Sequence, residues 1–429
     1  MAQPPYNHLL SLPVETLHHI ADYLESNSLG AFRSTCRALD ATLFTRFATK
    51  AFSRKKLGLT WDEVVELVEF SKSRASRFLD RIDFYTPNVS YLSDSGSETE
   101  EEPGHRAQNN YYGEQLREAF SNLREIQTVV LRDHVSVNRS WTRPPVKQIL
   151  DSDSLTVFRK TGTRPKAKGS YGDSDFETGK YFSTLIESLS EAGTRVKHLE
   201  VCLVADSTLE ARDFTIHNRL KTSVVAFLEN LERLHIVVDV EEVDEFQSNL
   251  GQFLSYASNL KDLRINGYHN INGVADMNSL VYWLGRSSTN PPTGISPEFV
   301  DFSRLETLSL GKMTIFVEGI HDLICKYAST LKTLEFWLVT IPDTDGTRNV
   351  DEQDSSEEQS WPGLCRKIAD IENLNLDRIS IGKPLQYNTR SAPTGDVRVE
   401  VGVGADFFEH TGTGLKEFLR GLAEDMYCV

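Results

Sequence analysis

The sequence has few cysteines and no pairing pattern among them. Its five cysteines, at positions 36, 202, 325, 365 and 428, are scattered and odd in number, without a Cys-x-x-Cys. Such a set is typical of reducing compartments, where disulfides are rare. We therefore expect free thiols and an intracellular protein, cytoplasmic or nuclear.

Long apolar runs are missing as well. No stretch approaches eighteen consecutive apolar residues, and the N-terminus has no apolar run of the signal-peptide type. We expect no membrane-spanning segment and no secretory leader.

Basic charge is in deficit. The 429 residues carry 46 Lys and Arg against 62 Asp and Glu, a formal net charge of −16. Nucleic acids and anionic membranes are bound by basic faces, so this balance argues against both as partners.

Motifs for catalysis are also lacking. The chain has no Gly-x-Ser-x-Gly and no P-loop, and Gly402-Val403-Gly404 lacks the third glycine of a dinucleotide site. His18 and His19 are adjacent, so they face different sides of a helix and suit a metal badly. We predict no catalytic residues, no metal and no cofactor. A hydrolase site assembled from the long insertions is the alternative.

The first fifty residues carry three apolar stripes at helical spacing. Pro13 suits a first helical turn, and Leu17, Ile20, Ala21 and Leu24 follow at i, i+3, i+4 and i+7. Three short helices form too small a core to be comfortable alone, so we expect surplus apolar surface to dock on something else.

These residues resemble the F-box, in the pattern LPxExLxxIxxYL followed by Leu-x-x-Phe-Arg and Cys-Arg, and we assign residues 8–52 to it. The resemblance implies that this segment binds the Skp adaptor, and through it a cullin, in a ubiquitin ligase. It also implies that the remainder of the chain holds a protein substrate. The residues matching the adaptor-facing positions are Leu12, Pro13, Glu15, Leu17, Ile20, Leu24 and Leu29.

Two other interpretations of this segment stay open. In the first, the three helices are an ordinary cap on a larger domain. In the second, the F-box belongs to a scaffold that binds partners without ubiquitin transfer. Co-purification with a cullin distinguishes a ligase subunit from a scaffold.

After a predicted helical linker over residues 53–78, a hexapeptide frame with apolar first, fourth and sixth positions occurs eight times. Amphipathic helices precede most frames, so the period of the apolar pattern switches repeatedly from 3.6 to 2. The frames start at Leu79, Ile126, Val196, Leu231, Leu260, Leu305, Leu331 and Leu376.

This alternation predicts an α/β fold and resembles the leucine-rich-repeat-like domains of fungal F-box proteins. We assign residues 79–429 to an irregular helix–strand solenoid with disordered or long loops near 93–110, 138–180 and 343–360. A generic α/β domain whose strands follow helices is the alternative.

Strand residues between the inward apolar positions point to the opposite surface of the sheet, because side chains alternate. We predict that substrate binds there. An aromatic residue outside the buried frame is a plausible hot spot, although Trp337 packed under the loop at 343–360 is an equally good interpretation. The candidate residues are Glu200, His235, Arg264, Glu335, Trp337 and Arg378.

Overall fold

A computed structural model describes most of the chain and shows a mixed α/β protein with an open, mostly parallel sheet. The described residues are 9–86, 103–132, 175–203, 208–239, 249–267, 269–270, 273–286, 300–342, 360–387, 396–401 and 406–428. The predicted loop segments at 93–102, 138–174 and 343–359 lie outside these ranges.

The chain begins with three short helices. They are α1 (Val14–Tyr23), α2 (Ser26–Arg33) and α3 (Arg37–Phe52). Pro13 directly precedes α1, and Glu15 places a carboxylate in its first turn, where it complements the free N–H groups. The bundle has a small core of its own, formed by Leu17, Ala21, Leu29, Leu39 and Leu43.

The remaining helices alternate with strands. They are α4 (Trp61–Ser71), α5 (Pro103–Asn122), α6 (Asp175–Glu191), α7 (Lys221–Leu228), α8 (Leu250–Tyr256), α9 (Asn278–Gly285), α10 (Val317–Tyr327), α11 (Trp361–Asp370) and α12 (Leu415–Asp425). Most of them pack against the next helix along the chain, and their apolar faces share one core with the sheet.

The strands are short at the start of the chain and longer near its middle. In chain order they are β1 (Arg54–Gly58), β2 (Arg81–Tyr85), β3 (Thr128–Arg132), β4 (His198–Cys202), β5 (Leu209–Glu210), β6 (Arg233–Asp239), β7 (Asp262–Gly267), β8 (His269–Asn270), β9 (Gly273–Asp276), β10 (Thr307–Thr314), β11 (Thr333–Pro342), β12 (Arg378–Gly382), β13 (Leu385–Tyr387), β14 (Asp396–Val401), β15 (Phe407–Thr411) and β16 (Met426–Cys428).

Each hexapeptide frame forms one strand, and neighbouring frames pair in parallel without slippage. The sheet order is β1-β2-β3-β4-β6-β7-β10-β11-β12, and antiparallel β15 follows β12 at the C-terminal edge. Register is well specified because one face is buried, and a one-residue slip would expose it. The fourth frame positions align across the sheet and are all buried: Ile82, Val129, Leu199, Leu234, Leu263, Leu308, Leu334 and Ile379.

One hydrogen-bond pattern recurs at the start of every frame strand. The carbonyl at the second frame position accepts the N–H groups of two successive residues in the next strand, as Glu232 does from Lys261 and Asp262 at 2.8 and 3.0 Å. The same two-donor bond joins β1 to β2, where Ser53 is the acceptor. Consecutive frame strands are therefore held in equivalent positions.

The side chains at this second frame position alternate in charge over six successive frames. Lys261 contacts Glu232 at 2.7 Å, and Lys332 contacts Glu306 at 3.1 Å. Opposite charges on adjacent strands attract across the ladder. The six residues are Lys197, Glu232, Lys261, Glu306, Lys332 and Asp377.

Three boundaries differ from the sequence interpretation. Residues 53–78 are not only helical, because β1 forms there and starts the sheet. Helices α5 and α6 begin at Pro103 and Asp175, within ranges assigned to loops. The strand β1 was missed because its sequence, Arg-Lys-Lys-Leu-Gly, contains a single apolar residue.

Leu308 tests the importance of the buried frame face. It is 0% exposed in the centre of the sheet, so Leu308→Ala is expected to lower the free energy of unfolding by about 2–5 kcal/mol. Thr307→Ala, one residue earlier on the opposite face, should lower it by about 1 kcal/mol or less. Urea unfolding monitored by circular dichroism measures both, and equal losses would contradict the assigned register.

Candidate interaction surfaces

Exposed large apolar side chains are concentrated at the first helix. Over the described ranges there are five of them, and Leu10, Val14 and Tyr23 fall within fourteen residues of one another. The other two, Phe407 and Tyr427, belong to C-terminal strands. Tyr23 is 89% exposed, which is unusual for so large a ring, and Ile20 lies one helical turn before it. Grouped exposed apolar side chains mark interaction sites more often than single ones.

The predicted adaptor-facing residues divide into three groups. Pro13 and Glu15 are exposed, whereas Leu12, Ile20 and Leu24 are half-buried. Leu17 and Leu29, at 4% and 1% exposure, belong to the bundle core.

Leu17 and Leu29 thus lie inside the bundle in this conformation, and their partner-facing role stays a prediction. The i, i+4 pair of Leu17 and Ala21 faces the inside of the bundle, because the helices must first bury a stripe against one another.

The bundle is joined to the sheet through α3. Phe44 and Ala48 pack on Ala75 and Phe78, with the Phe44 and Phe78 rings edge to face at 5.9 Å. The Arg74 guanidinium lies 3.7 Å over the Phe44 ring and hydrogen-bonds Asp40 at 2.9 Å. This contact, with a second from Arg33, lowers the pKa of Asp40. Helix α1 packs on α3, and no sheet strand is among its main contacts in the described part of the chain.

A second surface is formed by the outward strand residues, which we call the polar face. It consists of the third and fifth frame positions and the residue two further on, which align in three rows across the parallel strands. In the fifth-position row, Glu200 pairs with His235, His235 with Arg264, and Ser309 with Glu335. The predicted substrate-binding residues thus lie on one surface.

Asp83 is the centre of the first part of the polar face. Its carboxylate is 0% exposed and contacts Arg54, Arg81 at 3.0 Å and Arg132 at 3.6 Å. Burial opposes ionisation of Asp83, but the hydrogen bonds from Arg54 and Arg81 outweigh burial and lower its pKa. A charged carboxylate is therefore held beneath three guanidinium groups.

The ion pairs continue across the next strands. Glu200 contacts Arg81 at 3.1 Å and Arg233 at 3.6 Å, and Arg233 in turn contacts Asp262 at 2.6 Å. His235 Nε2 lies 3.1 Å from Asp262 Oδ1. Burial alone would raise the pKa of Asp262, but its contacts with His235 and Arg233 outweigh burial, so the pKa is lowered.

Three further candidates form a separate chain of contacts. Arg264 donates to Ser309 Oγ at 3.1 Å and to Glu335 at 2.9 Å. Arg378 contacts Glu335 at 3.6 Å and donates to Glu409 at 2.7 Å. These charges are therefore paired within the chain.

Trp337 lies near the C-terminal edge of the polar face, half-buried. Its ring covers Gly382 on the next strand, and a Cβ at Gly382 would overlap the ring. The centroid of the Trp337 ring lies 6.3 Å from the centroid of the Phe407 ring. The proposed packing under the loop at 343–359 concerns residues outside the described ranges.

The backbone turns left-handed directly after the Trp337 row. Lys312, Leu338 and Lys383 have φ of 52°, 53° and 47°, and each follows the corresponding residue of β10, β11 or β12. This conformation costs roughly 1–2 kcal/mol for a residue with a side chain. Pairing of β10 with β11 resumes at Met313 and Val339, so the three strands share one kink.

Sequence reasoning missed the most densely charged part of this face. Arg81, Asp83 and Arg233 occupy outward frame positions, so the frame itself could have identified them. Arg54 lies in the unrecognised strand β1, and Arg132 lies just beyond the end of its frame.

Two further titratable side chains of this face have shifted pKa values. Burial raises the pKa of the Cys202 thiol on this face, which keeps it protonated at neutral pH. Burial and the Arg233 charge lower the pKa of His198. Among the residues the structure describes, no three His, Cys, Asp or Glu side chains are grouped to hold a metal ion.

A small cavity between α6 and α8 is a weaker candidate. It measures about 20 Å³, room for roughly one water, and Phe182, Phe214 and Phe253 line it. Burial raises the pKa of Asp213 at its rim to about 6. Its size excludes most organic ligands.

None of the described helices has both the length and the apolarity that crossing a bilayer requires. The sequence matches no protein-family model, and no curated protein is significantly similar to it. The residues themselves therefore carry the functional argument.

Asp83→Asn tests the buried carboxylate. Removing its charge leaves three facing guanidinium groups, so we expect a loss of about 3 kcal/mol of unfolding free energy at pH 7. Because the folded pKa of Asp83 is lowered, its contribution is present above about pH 4 and is lost as pH falls through the folded pKa. The wild type and the variant should therefore converge at acid pH in urea titrations.

Asp370→Asn is the matched control, because Asp370 is 68% exposed and pairs with Arg420 at 2.9 Å. Asp370→Asn should lower the unfolding free energy by less than about 1 kcal/mol at any pH. A pH-independent difference for Asp83→Asn would contradict the ionised assignment.

Gly382→Ala tests the contact between Gly382 and the Trp337 ring. The new methyl group would displace the ring, lowering the unfolding free energy by about 1–3 kcal/mol and shifting tryptophan emission to longer wavelength. In a Trp337→Leu background, Gly382→Ala should lower the unfolding free energy much less, because the two positions are in contact and their effects are coupled. Gly421→Ala has no neighbour within 4 Å and should be neutral or stabilising. Additive losses would contradict the contact.

Proposed function

We propose that this protein is the substrate-recognition subunit of a Skp–cullin–F-box ubiquitin ligase. The N-terminal bundle binds the Skp adaptor, and the polar face of the sheet binds a protein substrate. The chain then contributes proximity and orientation to ubiquitin transfer, and no bond chemistry of its own.

The observation that carries the proposal is the set of exposed apolar side chains at and just before α1, where Tyr23 and the half-buried Ile20 share one helix face. Leu10, Val14 and Tyr23 are exposed within the F-box-like segment, while Leu17 and Leu29 hold the bundle together. A helix that leaves apolar side chains uncovered after its own core is complete is suited to a partner's groove. Each side chain buried there would contribute about 1.5–3 kcal/mol.

The connection between bundle and sheet also favours this role. The Phe44–Phe78 contact and the Arg74–Asp40 pair fix α3 to the segment that leads into β2. A fixed connection keeps the substrate at a set distance from the transfer site, which a flexible linker would not do.

For the sheet we propose an irregular leucine-rich-repeat solenoid with the polar face on its concave side. The equivalent register of eight frames, the repeated two-donor carbonyl and the packing of successive helices support this architecture. Repeat units that bury their apolar face only against neighbours give this combination. Solenoids use the concave surface for binding, which agrees with the polar outward rows.

Substitution of the exposed α1 residues tests the adaptor site. We expect Val14→Glu with Tyr23→Ser to lower recovery of the Skp adaptor at least about tenfold in co-purification, because two apolar contacts are removed. The thermal unfolding midpoint should stay unchanged, since both side chains lie outside the bundle core.

Tyr427→Ser is the matched control, because Tyr427 is 46% exposed at the other end of the chain. It should leave adaptor recovery unchanged. Recovery of adaptor and cullin together supports a ligase subunit, whereas adaptor without cullin supports the scaffold interpretation. Equal recovery of adaptor by the wild type and the double variant would refute the assigned surface.

A further inference from the structure

Charge is unevenly distributed along the polar face. On strands β1 to β6 its three rows hold five Lys and Arg residues against two carboxylates: Arg54, Lys56, Arg81, Arg132, Arg233, Asp83 and Glu200. From β7 to β15 the same rows hold Arg264 and Arg378 against Asp262, Glu335 and Glu409. The first half is therefore positive on a chain whose net charge is −16.

Solvent exposure increases this difference. The side chains of Arg54 and Arg233 are 48% and 39% exposed, whereas Asp83 and Glu200 are 0% and 10% exposed. The carboxylates thus lie beneath the guanidinium groups, and a ligand arriving at the surface meets mainly N–H donors. Lys56 is exposed beside Asp83 in the register and adds a further charge.

These guanidinium groups keep donors for a ligand. Arg54 contacts Asp83 through Nε, and Arg233 uses Nε on Asp262 and one terminal nitrogen near Glu200. Arg132 contacts Asp83 at 3.6 Å through its buried Nε, so this contact does not use its two terminal nitrogens. An arginine carries five N–H donors, so each can bind a carboxylate while it retains its internal partner.

We infer that the β1–β6 half of the polar face binds an acidic, carboxylate-rich segment of a partner protein. As the site of a substrate, this inference rests on the proposed function. It specifies what that function leaves open, namely the chemical class of the segment that is recognised.

The dimensions fit an extended peptide. Four strand-to-strand steps from β1 to β6 span about 19 Å, and an extended chain covers this in about six residues. The guanidinium groups lie in two different rows, Arg54, Arg81 and Arg233 in one and Arg132 in another. Carboxylates on both sides of a peptide crossing the strands can therefore each meet a guanidinium.

The overall negative charge does not prevent this binding. At physiological ionic strength charges are screened over about 8 Å, so a bound peptide feels the guanidinium groups around it more than distant carboxylates. At the adjoining edge Lys197 and Glu232 pair with each other at 3.6 Å. The same screening predicts that affinity falls steeply as salt is added.

Fluorescence anisotropy with the full chain tests the inference, using labelled octaglutamate and labelled octaglutamine as probes. We expect octaglutamate to bind at about 0.05 M salt, to dissociate near 1 M, and octaglutamine not to bind. Arg233→Gln with Lys56→Glu should weaken binding at least tenfold. Lys56→Glu alone, at an exposed residue outside the ion pairs of Asp83 and Glu200, should weaken binding with little change in thermal unfolding.

Arg219→Gln with Arg420→Gln is the matched control, because those arginines are 74% and 52% exposed and lie outside the three rows of the polar face. It should leave affinity within twofold. Equal loss in both double variants, equal binding of octaglutamine, or tighter binding of a labelled oligouridylate would overturn the inference.

The chain's own acidic stretch, residues 94–102, provides one more decisive variant. Its deletion should leave octaglutamate affinity unchanged. A tenfold increase would identify that stretch as the occupant and overturn the assignment to a partner. Because no adaptor takes part, failure here with normal adaptor recovery refutes only this inference, and adaptor loss with normal peptide binding refutes only the proposed function.

Discussion

The fold depends on the exact alignment of one frame position across neighbouring strands. When the fourth residues of the frames lie side by side, the first and sixth also face the helices, and the carbonyl of the second meets two N–H groups of the next strand. A shift by one residue would turn the apolar side chains outward and bring the charges into the core. Because side chains alternate along each strand, this alignment places the third and fifth positions on the surface opposite the helices, where they form the polar face.

The same alignment gives the polar face its chemistry. Parallel strands about 4.8 Å apart bring outward residues of successive frames within reach of one another, although these residues are tens of positions apart in sequence. Long side chains reach across two steps, since Arg81 on β2 and Glu200 on β4 contact at 3.1 Å and are separated by 119 positions. Their ion pair is therefore a consequence of the register and cannot be recognised as a local motif.

The N-terminal bundle obeys a different constraint. Three helices of 10, 8 and 16 residues enclose a core separate from that of the sheet, with aromatic contacts between the two. So small a unit cannot bury every apolar residue of its first helix. The exposure of Val14 and Tyr23 follows from that limit, and the proposed adaptor site uses it.

The sequence predicted the frame strands correctly because their apolar spacing directly encodes burial. It failed at β1, where one apolar residue gave no pattern, and it did not separate Leu17 and Leu29, which form the bundle core, from the apolar residues left at the bundle surface. It also could not indicate that Asp83 is fully buried. An aspartate in an outward frame position looks exposed until Arg54, Arg81 and Arg132 from three strands are brought over it.

The alternating charges of the second frame position restrict how such a chain can change in length. Removing one frame together with its helix would place two lysines, or two acidic residues, on adjacent strands; joining Lys197 directly to Lys261 is one example. Removing two frames would leave opposite signs facing each other. Over this part of the sheet, gain or loss of units during evolution should therefore be tolerated in pairs more readily than singly.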